Sequence, residues 1–388
     1  MIYLDNNATT QIDPAVAEAM LTCLLIGPLN ASSQHAIGRA ARGQLDQAIS
    51  EIGRLLGADV DSPGGDQLIL TSGGSESNNL ALFGIGDSQA PLVVSAIEHP
   101  SVLAVASAQQ SSGREVRLIA VLPDGTIDLA SAEQVICQRP QPSLVSVMSA
   151  NNETGVLQPL TYISELCRDQ NIPLHIDATQ TIGKFPFDFA SSGATAVSFT
   201  AHKFHGPAGI GGLLLRSGTS LRPLMHGGEQ QLAKRPGTEP VALAIGMAKA
   251  LSIALASFQA TNQRLQSMRD EFESLLTAKI PDLVIHGVTS PRLPGTSCFS
   301  LPGVDRQTML MALDFAGIAC SSGSACASGS SRPSHVLEAM HVSNEAVNSA
   351  LRVGFSKFST SEEMSTAAET ICRQYLRLRK IAPVENLG

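Results

Sequence analysis

The chain has 388 residues, of which 43% are hydrophobic and 15% are charged, a balance that is typical of globular proteins and excludes an intrinsically disordered one. This length predicts two domains, or one large domain with a smaller satellite. The formal net charge of -8, without clustered Lys and Arg, argues against a nucleic-acid-binding protein.

The beginning of the chain, MIYLDNNATT, has no basic region followed by an apolar stretch, so no signal peptide is predicted. The sequence also lacks an uninterrupted apolar run of about eighteen residues, which a membrane-spanning helix would need. We therefore expect a cytoplasmic protein. Its 7 cysteines form a scattered set of odd number, which predicts reduced thiols rather than a disulfide framework.

Short apolar, β-branched runs alternate with longer amphipathic segments such as 45–56 and 163–170. The runs predicted to be strands are 68–70, 92–95, 116–119, 144–148, 174–176, 196–200 and 212–215. This alternation predicts an α/β fold with a mostly parallel sheet covered by helices on both faces. Ligands in such sheets bind at the carboxyl ends of the strands.

The Ala-rich stretch 240–278 has helical periodicity and few helix breakers, which predicts a helical connection from a large domain to a smaller one. We expect the large domain to span 14–255. The smaller α+β domain would contain 1–13 and 256–388, and the Gly/Ser-rich piece 321–331 within it is predicted to be a mobile loop.

The segment SFTAHKFHGPAGIGGLLLR places Lys203 directly after a predicted strand and before a glycine-rich turn. A lysine in this position could form a Schiff base with an aldehyde cofactor, and burial would lower its pKa. Considered alone, Lys203 is more often interpreted as a surface lysine in a loop. The neighbouring motifs therefore decide between the two interpretations.

Asp177 in LHIDATQ also follows a strand, so it should lie at the same sheet edge as Lys203. Its carboxylate could pair with a protonated pyridine nitrogen, although an Asp after a strand is also a common helix N-cap. Gln180, three residues later, could reach the phenolic oxygen of the ring. In TSGGSESNN a helix begins near Ser75, and its N-terminus could bind a phosphate, unless Ser75 is a plain N-cap.

Two further loop residues follow predicted strands. His99 in EHPSV could lie over a cofactor ring or move protons, but a His beside a Pro is more often a structural turn residue. An Asn in a turn, such as Asn152 in NNETG, is usually explained by the backbone conformation of the turn.

Cys326 lies among Gly, Ser and Ala, and such a segment could carry a thiol into a site. The spacing between Cys320 and Cys326 is poor for a zinc site. Cys320 itself resembles an inert buried thiol.

In their order along the chain, a series of segments resembles the cysteine desulfurase family of the NifS and IscS type, within the class V aminotransferase-like enzymes. The segments are YLDNNATT, SSQHAIGRAAR, TSGGSESNN, EHPSV, NNETG, HIDATQ, AHKFHGP, RPGTE and SSGSACASG. The resemblance runs nearly end to end. It implies the pyridoxal-phosphate-dependent fold type I, in which a large domain with a mostly parallel mixed sheet carries a smaller α+β domain.

The resemblance also implies that pyridoxal 5'-phosphate is the cofactor and that Lys203 binds it covalently. Asp177 would hold the pyridine nitrogen, and His99 would stack on the ring and assist proton transfer. The other implied cofactor-binding residues are Asn152, Gln180, Gly74, Ser75, Thr200, His202 and Thr238. Thr238 would come from the partner subunit, because members of this family are homodimers with shared sites.

For the substrate, the resemblance implies that Arg352 binds a carboxylate and that Asn7 lines the same pocket. A guanidinium suits this role because its forked N–H donors match the two oxygens of a carboxylate. Cys326 would receive the sulfur of L-cysteine as a persulfide, leaving alanine, and donate it to a sulfur-acceptor or iron–sulfur scaffold protein. No metal is implied, although Cys326 could contact a cluster transiently. The alternatives are a selenocysteine lyase, an aminotransferase-like enzyme of the same fold, and a catalytically silent scaffold protein.

Three segments depart from the family pattern. They are GGEQQLAKRPGTE at 227–239, SKF at 356–358 and NASS at 30–33. These departures leave the implied cofactor-binding residues intact and bear instead on partner recognition and substrate preference.

Overall fold

A computed structural model describes residues 1–323 and 333–381. The strands are β1 (Ile2–Tyr3), β2 (Gln67–Thr71), β3 (Leu92–Ser95), β4 (Val116–Ile119), β5 (Leu144–Met148), β6 (Leu174–Asp177), β7 (Ala196–Thr200), β8 (Gly211–Leu215), β9 (Val284–Ile285), β10 (Thr296–Ser300), β11 (Ile318–Ala319) and β12 (Ala350–Gly354). The helices are α1 (Pro14–Leu25), α2 (Ala36–Leu55), α3 (Gly74–Gly84), α4 (Pro100–Ser111), α5 (Leu129–Cys137), α6 (Leu160–Asp169), α7 (Phe189–Ser192), α8 (Val241–Ala256), α9 (Phe258–Lys279), α10 (Arg306–Phe315), α11 (His335–Ala339), α12 (Asn344–Asn348) and α13 (Ser361–Ile381). A single 3₁₀ turn, Ala201–Lys203, follows β7.

The main sheet has 7 strands in the order β2-β8-β7-β6-β5-β3-β4. Its pairs are parallel except those of β8, which runs antiparallel to both β2 and β7. Val93 and Val94 belong to different buried clusters, because successive side chains of a strand point to opposite faces of the sheet. The α/β prediction with a mostly parallel mixed sheet is confirmed.

Each predicted strand of this sheet is present, and three are longer than predicted. β2 extends to Gln67–Thr71, β6 gains Asp177, and β8 gains Gly211. The additions matter for the site, since Asp177 is the last residue of its strand rather than the first residue beyond it.

The predicted helical stretch 240–278 forms two helices, α8 and α9, which meet at Ser257 and are bent by 72°. The bend lets each helix pack against a different core, because α8 contributes to the cluster under the main sheet and α9 to a second cluster. In the described part of the chain no single helix is long and apolar enough to cross a membrane. Only α8 and α9 taken together have the necessary length and composition, and they are bent relative to each other.

The second core lies around two small sheets. The strands β12, β10 and β9 pair antiparallel, and β1 pairs parallel with β11. The core combines Leu4 near the N-terminus with residues between Leu265 and Tyr375, while α11 and α12 pack on the larger core instead. The division into 14–255 and 1–13 with 256–388 stays a prediction.

Candidate active site

A cavity of about 440 Å³ lies at the carboxyl ends of β5, β6 and β7, beside the beginning of α3. The predicted residues that line it are Lys203, Asp177, His99, Gln180, Asn152, Gly74, Ser75, Thr200, His202, Arg352 and Asn7. Parallel strands end at one edge of the sheet, so motifs separated along the chain come together there. The volume falls within the range of about 300 to 1,000 Å³ that small-molecule sites occupy.

The amine of Lys203 is held by the N-terminal segment of the chain. Its Nζ donates hydrogen bonds to the main-chain oxygens of Asn7 at 2.5 Å and Ala8 at 2.8 Å. Burial, and then the positive charge of Arg352, lower the pKa of Lys203 to about 8, against the opposite effects of Asp177 and Asp5. A substantial fraction of this amine is therefore neutral, and nucleophilic, near physiological pH.

Asp177 ends β6 and is only 4% exposed. One carboxylate oxygen accepts a hydrogen bond from the main-chain N–H of Thr179 at 3.0 Å, and the other accepts from Asn78 Nδ2 at 2.8 Å. The residues that follow form turns rather than an α-helix, so Asp177 caps a turn while also lining the cavity. Asn78 was not singled out from the sequence, because an Asn inside a helix carries no motif.

The beginning of α3 offers main-chain N–H groups to the cavity. Its N-cap position is Gly73, which has no side chain to occupy those donors, so the alternative interpretation of Ser75 as a plain N-cap does not apply. Thr179 Oγ1 is buried and has no hydrogen-bond partner among the described residues, and it would lie 3.0 Å from a Cβ placed on Gly74. Free N–H groups, a helix dipole and an unpaired hydroxyl together form a site suited to a phosphate.

Thr200 and His202 also line the cavity. Thr200 Oγ1 donates to the main-chain oxygen of Ile210 at 3.0 Å, and His202 Nδ1 lies 3.1 Å from Thr9 Oγ1. Burial, and then Lys203, lower the pKa of His202 to about 4, so its imidazole is neutral at physiological pH.

His99 is the N-cap of α4 and also lines the cavity, so both interpretations drawn from the sequence apply to it. Its Nδ1 accepts a hydrogen bond from the main-chain N–H of Ser101 at 3.1 Å and lies 2.7 Å from Ser101 Oγ. Burial lowers the pKa of His99, although the charge of Asp177 acts in the opposite direction. The imidazole is therefore held neutral in a fixed orientation.

Arg352 reaches the cavity from β12, where its side chain is 4% exposed. Its Nη2 forms an ion pair with Asp5 Oδ1 at 2.6 Å, and its Nη1 donates to the main-chain oxygen of Asn152 at 3.0 Å. Nε has no partner in the described part of the chain. The guanidinium thus retains one donor for an anion, although it already forms an ion pair with Asp5.

The side chain of Asn7 points away from Lys203. Its Nδ2 donates to Thr296 Oγ1 at 3.0 Å, whereas its main-chain oxygen accepts from Lys203 and, at 3.0 Å, from Gln180 Nε2. Lys184, which the sequence did not single out, donates from Nζ to Gln180 Oε1 at 3.0 Å. Burial, and then Lys203 and Arg352, lower the pKa of Lys184 to about 7.

The EHPSV and NNETG motifs each contain a buried glutamate, Glu98 and Glu153 respectively. Glu98 accepts hydrogen bonds from Ser95 Oγ at 2.5 Å and from the main-chain N–H of Met148 at 2.7 Å, and burial raises its pKa to about 8. Glu153 accepts from Ser334 Oγ at 2.5 Å, and burial raises its pKa too. Because Glu98 is mostly protonated near pH 7, it adds little negative charge near Asp177.

Two predicted site residues are not placed in this cavity. Thr238 is exposed and is not among the residues that line it. Cys326 lies in the segment 324–332, outside the described residues. Cys320 is within the described part, and burial raises its pKa to about 12, which agrees with an inert thiol. No group of three His, Cys, Asp or Glu residues that could hold a metal occurs in residues 1–323 and 333–381.

Comparison with known proteins gives one consistent result. Residues 2–366 match the family described as Aminotransferase class-V. The chain is 37% identical to a cysteine desulfurase of Gluconacetobacter diazotrophicus, covering 98% of this chain and 95% of that protein, and 38% identical to an IscS-like cysteine desulfurase of Mycobacterium tuberculosis, covering 98% of each. The solved structure of a NifS-like protein from Rickettsia africae superposes with a TM-score of 0.88 at 30% identity, covering 97% of this chain and 99% of that one. The chain belongs to the class V aminotransferase family and, within it, to the cysteine desulfurases.

Proposed function

We propose that this protein is a pyridoxal-phosphate-dependent cysteine desulfurase, which converts L-cysteine into L-alanine and carries the sulfur as a persulfide on Cys326. The observation that carries the proposal is Lys203, whose pKa is lowered to about 8 in a cavity that it shares with Asp177 and Arg352. Full-length relatives named cysteine desulfurases support the same activity.

The groups that line the cavity fit the proposed cofactor. The N-terminus of α3 and Thr179 Oγ1 suit its phosphate, and Asp177 suits its pyridine nitrogen. Lys203 suits its aldehyde, and Gln180 suits its phenolic oxygen. When bound, pyridoxal phosphate supplies an aldehyde for covalent attachment and a ring that withdraws electrons from the Cα atom of an amino acid.

The protein's own residues then bind the substrate and move its protons. Arg352 binds the carboxylate of L-cysteine through the donor that Asp5 and Asn152 leave free. Lys203 accepts the proton from Cα, because its lowered pKa leaves the amine partly neutral. His99, His202 and Glu98 stay neutral and limit the charge around these steps.

Sulfur transfer requires a thiolate outside the described residues. The Cys326 thiolate attacks the substrate sulfur, so an S–S bond forms as the C–S bond breaks. The electron pair of the C–S bond stays on the three-carbon fragment, which takes up protons and leaves as L-alanine. A thiolate in a polar Gly/Ser segment is better suited to this step than the half-buried Cys320, whose pKa is raised to about 12.

The alternatives raised by the sequence are less well supported. The relatives described above are named cysteine desulfurases, not selenocysteine lyases or aminotransferases, and an aminotransferase would have no use for Cys326. A catalytically silent scaffold would not need a lysine of lowered pKa beside Asp177 and Arg352.

The partners of the protein are also proposed from its relatives. A homodimer would explain why Thr238 is exposed yet implied in cofactor binding, since it would serve the partner subunit. The persulfide would pass to a sulfur-acceptor or iron–sulfur scaffold protein in the cytoplasm.

The proposal is tested by Cys326→Ala, with the exposed Cys137→Ala as a matched control. Purified protein is incubated with pyridoxal phosphate and L-cysteine, alanine is quantified, and the extra sulfur atom is located by mass spectrometry. We expect Cys326→Ala to bind the cofactor as tightly as the wild type but to form neither alanine nor a persulfide. Alanine formation at the wild-type rate in Cys326→Ala would refute the assignment.

A further inference from the structure

A chain of hydrogen bonds connects Asp177, at the end of β6, to His99, the N-cap of α4, and both residues line the cavity. Asn78 Nδ2 donates to Asp177 Oδ2 at 2.8 Å and to Ser101 Oγ at 2.8 Å. Ser101 Oγ in turn lies 2.7 Å from His99 Nδ1. Asn78 is 1% exposed, and its Oδ1 has no partner among the described residues, so its side chain is placed by these two bonds.

Only one arrangement of protons satisfies this chain. A carboxylate accepts hydrogen bonds, so the amide group of Asn78 that faces Asp177 is its NH₂, and the second hydrogen goes to Ser101 Oγ. The Ser101 hydroxyl then donates to His99 Nδ1. The main-chain N–H of Ser101, which can only donate, reaches the same Nδ1 at 3.1 Å. Nδ1 is therefore an acceptor on both counts, and the proton of the neutral imidazole is on Nε2.

We propose that Asn78 and Ser101 are positioning residues which hold Asp177 and His99 in a fixed relation and keep His99 as the Nε2–H tautomer. The inference rests on the proposed function in one respect: the cofactor would lie between the two residues so positioned. His99 would then offer an N–H donor to the bound molecules and would not accept a proton at Nδ1 without breaking two hydrogen bonds.

The surroundings of His99 favour the same state. The charged and titratable groups that act on it are Asp177, Lys203, His335 and Arg352. Burial lowers the pKa of His99, and Lys203, His335 and Arg352 act in the same direction, whereas Asp177 opposes them. The pKa supports a neutral ring, while the hydrogen bonds determine which nitrogen carries the proton.

The tautomer is tested directly by ¹⁵N NMR of histidine-labelled full-length protein, with and without pyridoxal phosphate. The His99 signals are identified by their absence from His99→Gln. We expect a protonated Nε2 and an unprotonated, hydrogen-bonded Nδ1 at neutral pH in both forms. A protonated Nδ1 in either form would overturn the inference. Because the cofactor-free protein is measured as well, this result does not depend on whether the proposed desulfurase activity is found.

The coupling is tested by the cofactor affinity of Asn78→Ala, Ser101→Ala and the double variant. Each single change should weaken pyridoxal phosphate binding roughly fivefold to tenfold, the effect of one lost hydrogen bond to a charged or positioned group. The affinity of the double variant should be no lower than that of the single variant with the larger loss, because both changes break the same chain of hydrogen bonds. Additive losses would show that Asn78 and Ser101 act independently and would overturn the proposal.

Two variants separate positioning from general damage to the fold. Ser101→Thr keeps the hydroxyl and should restore wild-type affinity. Ser77→Ala removes a buried hydroxyl from α3, the helix that contains Asn78, but this hydroxyl bonds to Thr71 and to the main-chain oxygen of Gly212 and is not part of the hydrogen bonds between Asp177 and His99. It should leave cofactor affinity unchanged, and a loss as large as that of Ser101→Ala would contradict the proposal.

Discussion

Around the cavity, burial favours the neutral form of titratable side chains. It therefore lowers the pKa of a lysine and raises the pKa of a glutamate. The pKa values of Lys203 and Lys184 are lowered to about 8 and about 7, and the pKa of Glu98 is raised to about 8. In each case desolvation favours the neutral form. The site is therefore less charged near neutral pH than its residue types suggest.

Glu98→Gln should remove a pH dependence of stability. The pKa of Glu98 rises from 4.5 in the unfolded chain to about 8 in the folded protein, so the folded state holds a proton that the unfolded state releases between these values. Its contribution to stability is fully present below pH 4.5 and is lost as pH rises through about 8, with a slope of at most about 1.4 kcal/mol per pH unit. Unfolding free energies across this range should show a flatter profile for Glu98→Gln.

The exposed Glu271→Gln provides the control for this experiment and should keep the wild-type slope. An equal slope in Glu98→Gln and the wild type would mean that Glu98 is ionised in the folded protein.

Lys184→Met should weaken cofactor binding through Gln180. The main-chain oxygen of Asn7 can only accept, and Lys184 Nζ donates to Gln180 Oε1, so together they fix the amide of Gln180 with its NH₂ group toward Asn7. Without Lys184 the amide can rotate, at a loss of about 1 kcal/mol in binding free energy. Titration of the cofactor-free protein with pyridoxal phosphate measures this change. Lys184→Arg keeps donors at this position and should bind normally; equal loss in both variants would argue against amide orientation as the cause.

Among the elements, the packing of β8 against the loop before α3 determines where the proposed phosphate site lies. Gly211 pairs with Thr71 on one side and with Thr200 on the other. A Cβ on Gly211 would lie 2.7 Å from the main-chain carbon of Gly73, which precedes α3. The absence of a side chain at Gly211 thus allows the beginning of α3 to approach the sheet edge.

Gly211→Ala should therefore displace the beginning of α3 and reduce both stability and cofactor affinity. Overpacking of this kind typically lowers stability by about 1 to 3 kcal/mol. Thermal unfolding and cofactor titration measure the two effects separately. Gly43→Ala in the exposed part of α2, where a Cβ meets nothing within 4 Å, should instead leave cofactor affinity unchanged and stabilise the helix by up to about 1 kcal/mol. Normal cofactor affinity in Gly211→Ala would refute the proposed link.

In the whole molecule, the cavity combines residues from both cores. The ion pair between Arg352 of β12 and Asp5 of the N-terminal segment closes one side, and Lys203 binds the main chain of that same segment. Thr238, in contrast, is exposed on the chain that contributes it. The proposed role of Thr238 in cofactor binding therefore depends on the proposed homodimer.

Mixing Lys203→Ala with Thr238→Val should restore activity if the protein is a homodimer with shared sites. One of the two sites in a mixed dimer would contain Lys203 from one subunit and Thr238 from the other, both unchanged. We expect alanine formation at low cofactor concentration to exceed that of either variant alone. Absence of this complementation, or a monomer in analytical ultracentrifugation, would contradict the shared site.

The strand-end positions of Asp177 and Lys203, and the α/β architecture, followed from local sequence patterns. Apolar runs and turn residues act through near neighbours, so they determine which segments form strands and which residues end them. The order of motifs was sufficient to identify the family. Cys326, however, lies outside the described residues, and its role stays a prediction from the resemblance.

The sequence by itself thus determined the elements and the residues that end at the sheet edge. Only the tertiary structure decided that the stretch 240–278 bends at Ser257, that Asn78 joins Asp177 to Ser101, and that Arg352 pairs with Asp5. The physical reason is that these features depend on packing between distant segments: the partners in the last pair are 347 residues apart, and no local pattern encodes their contact.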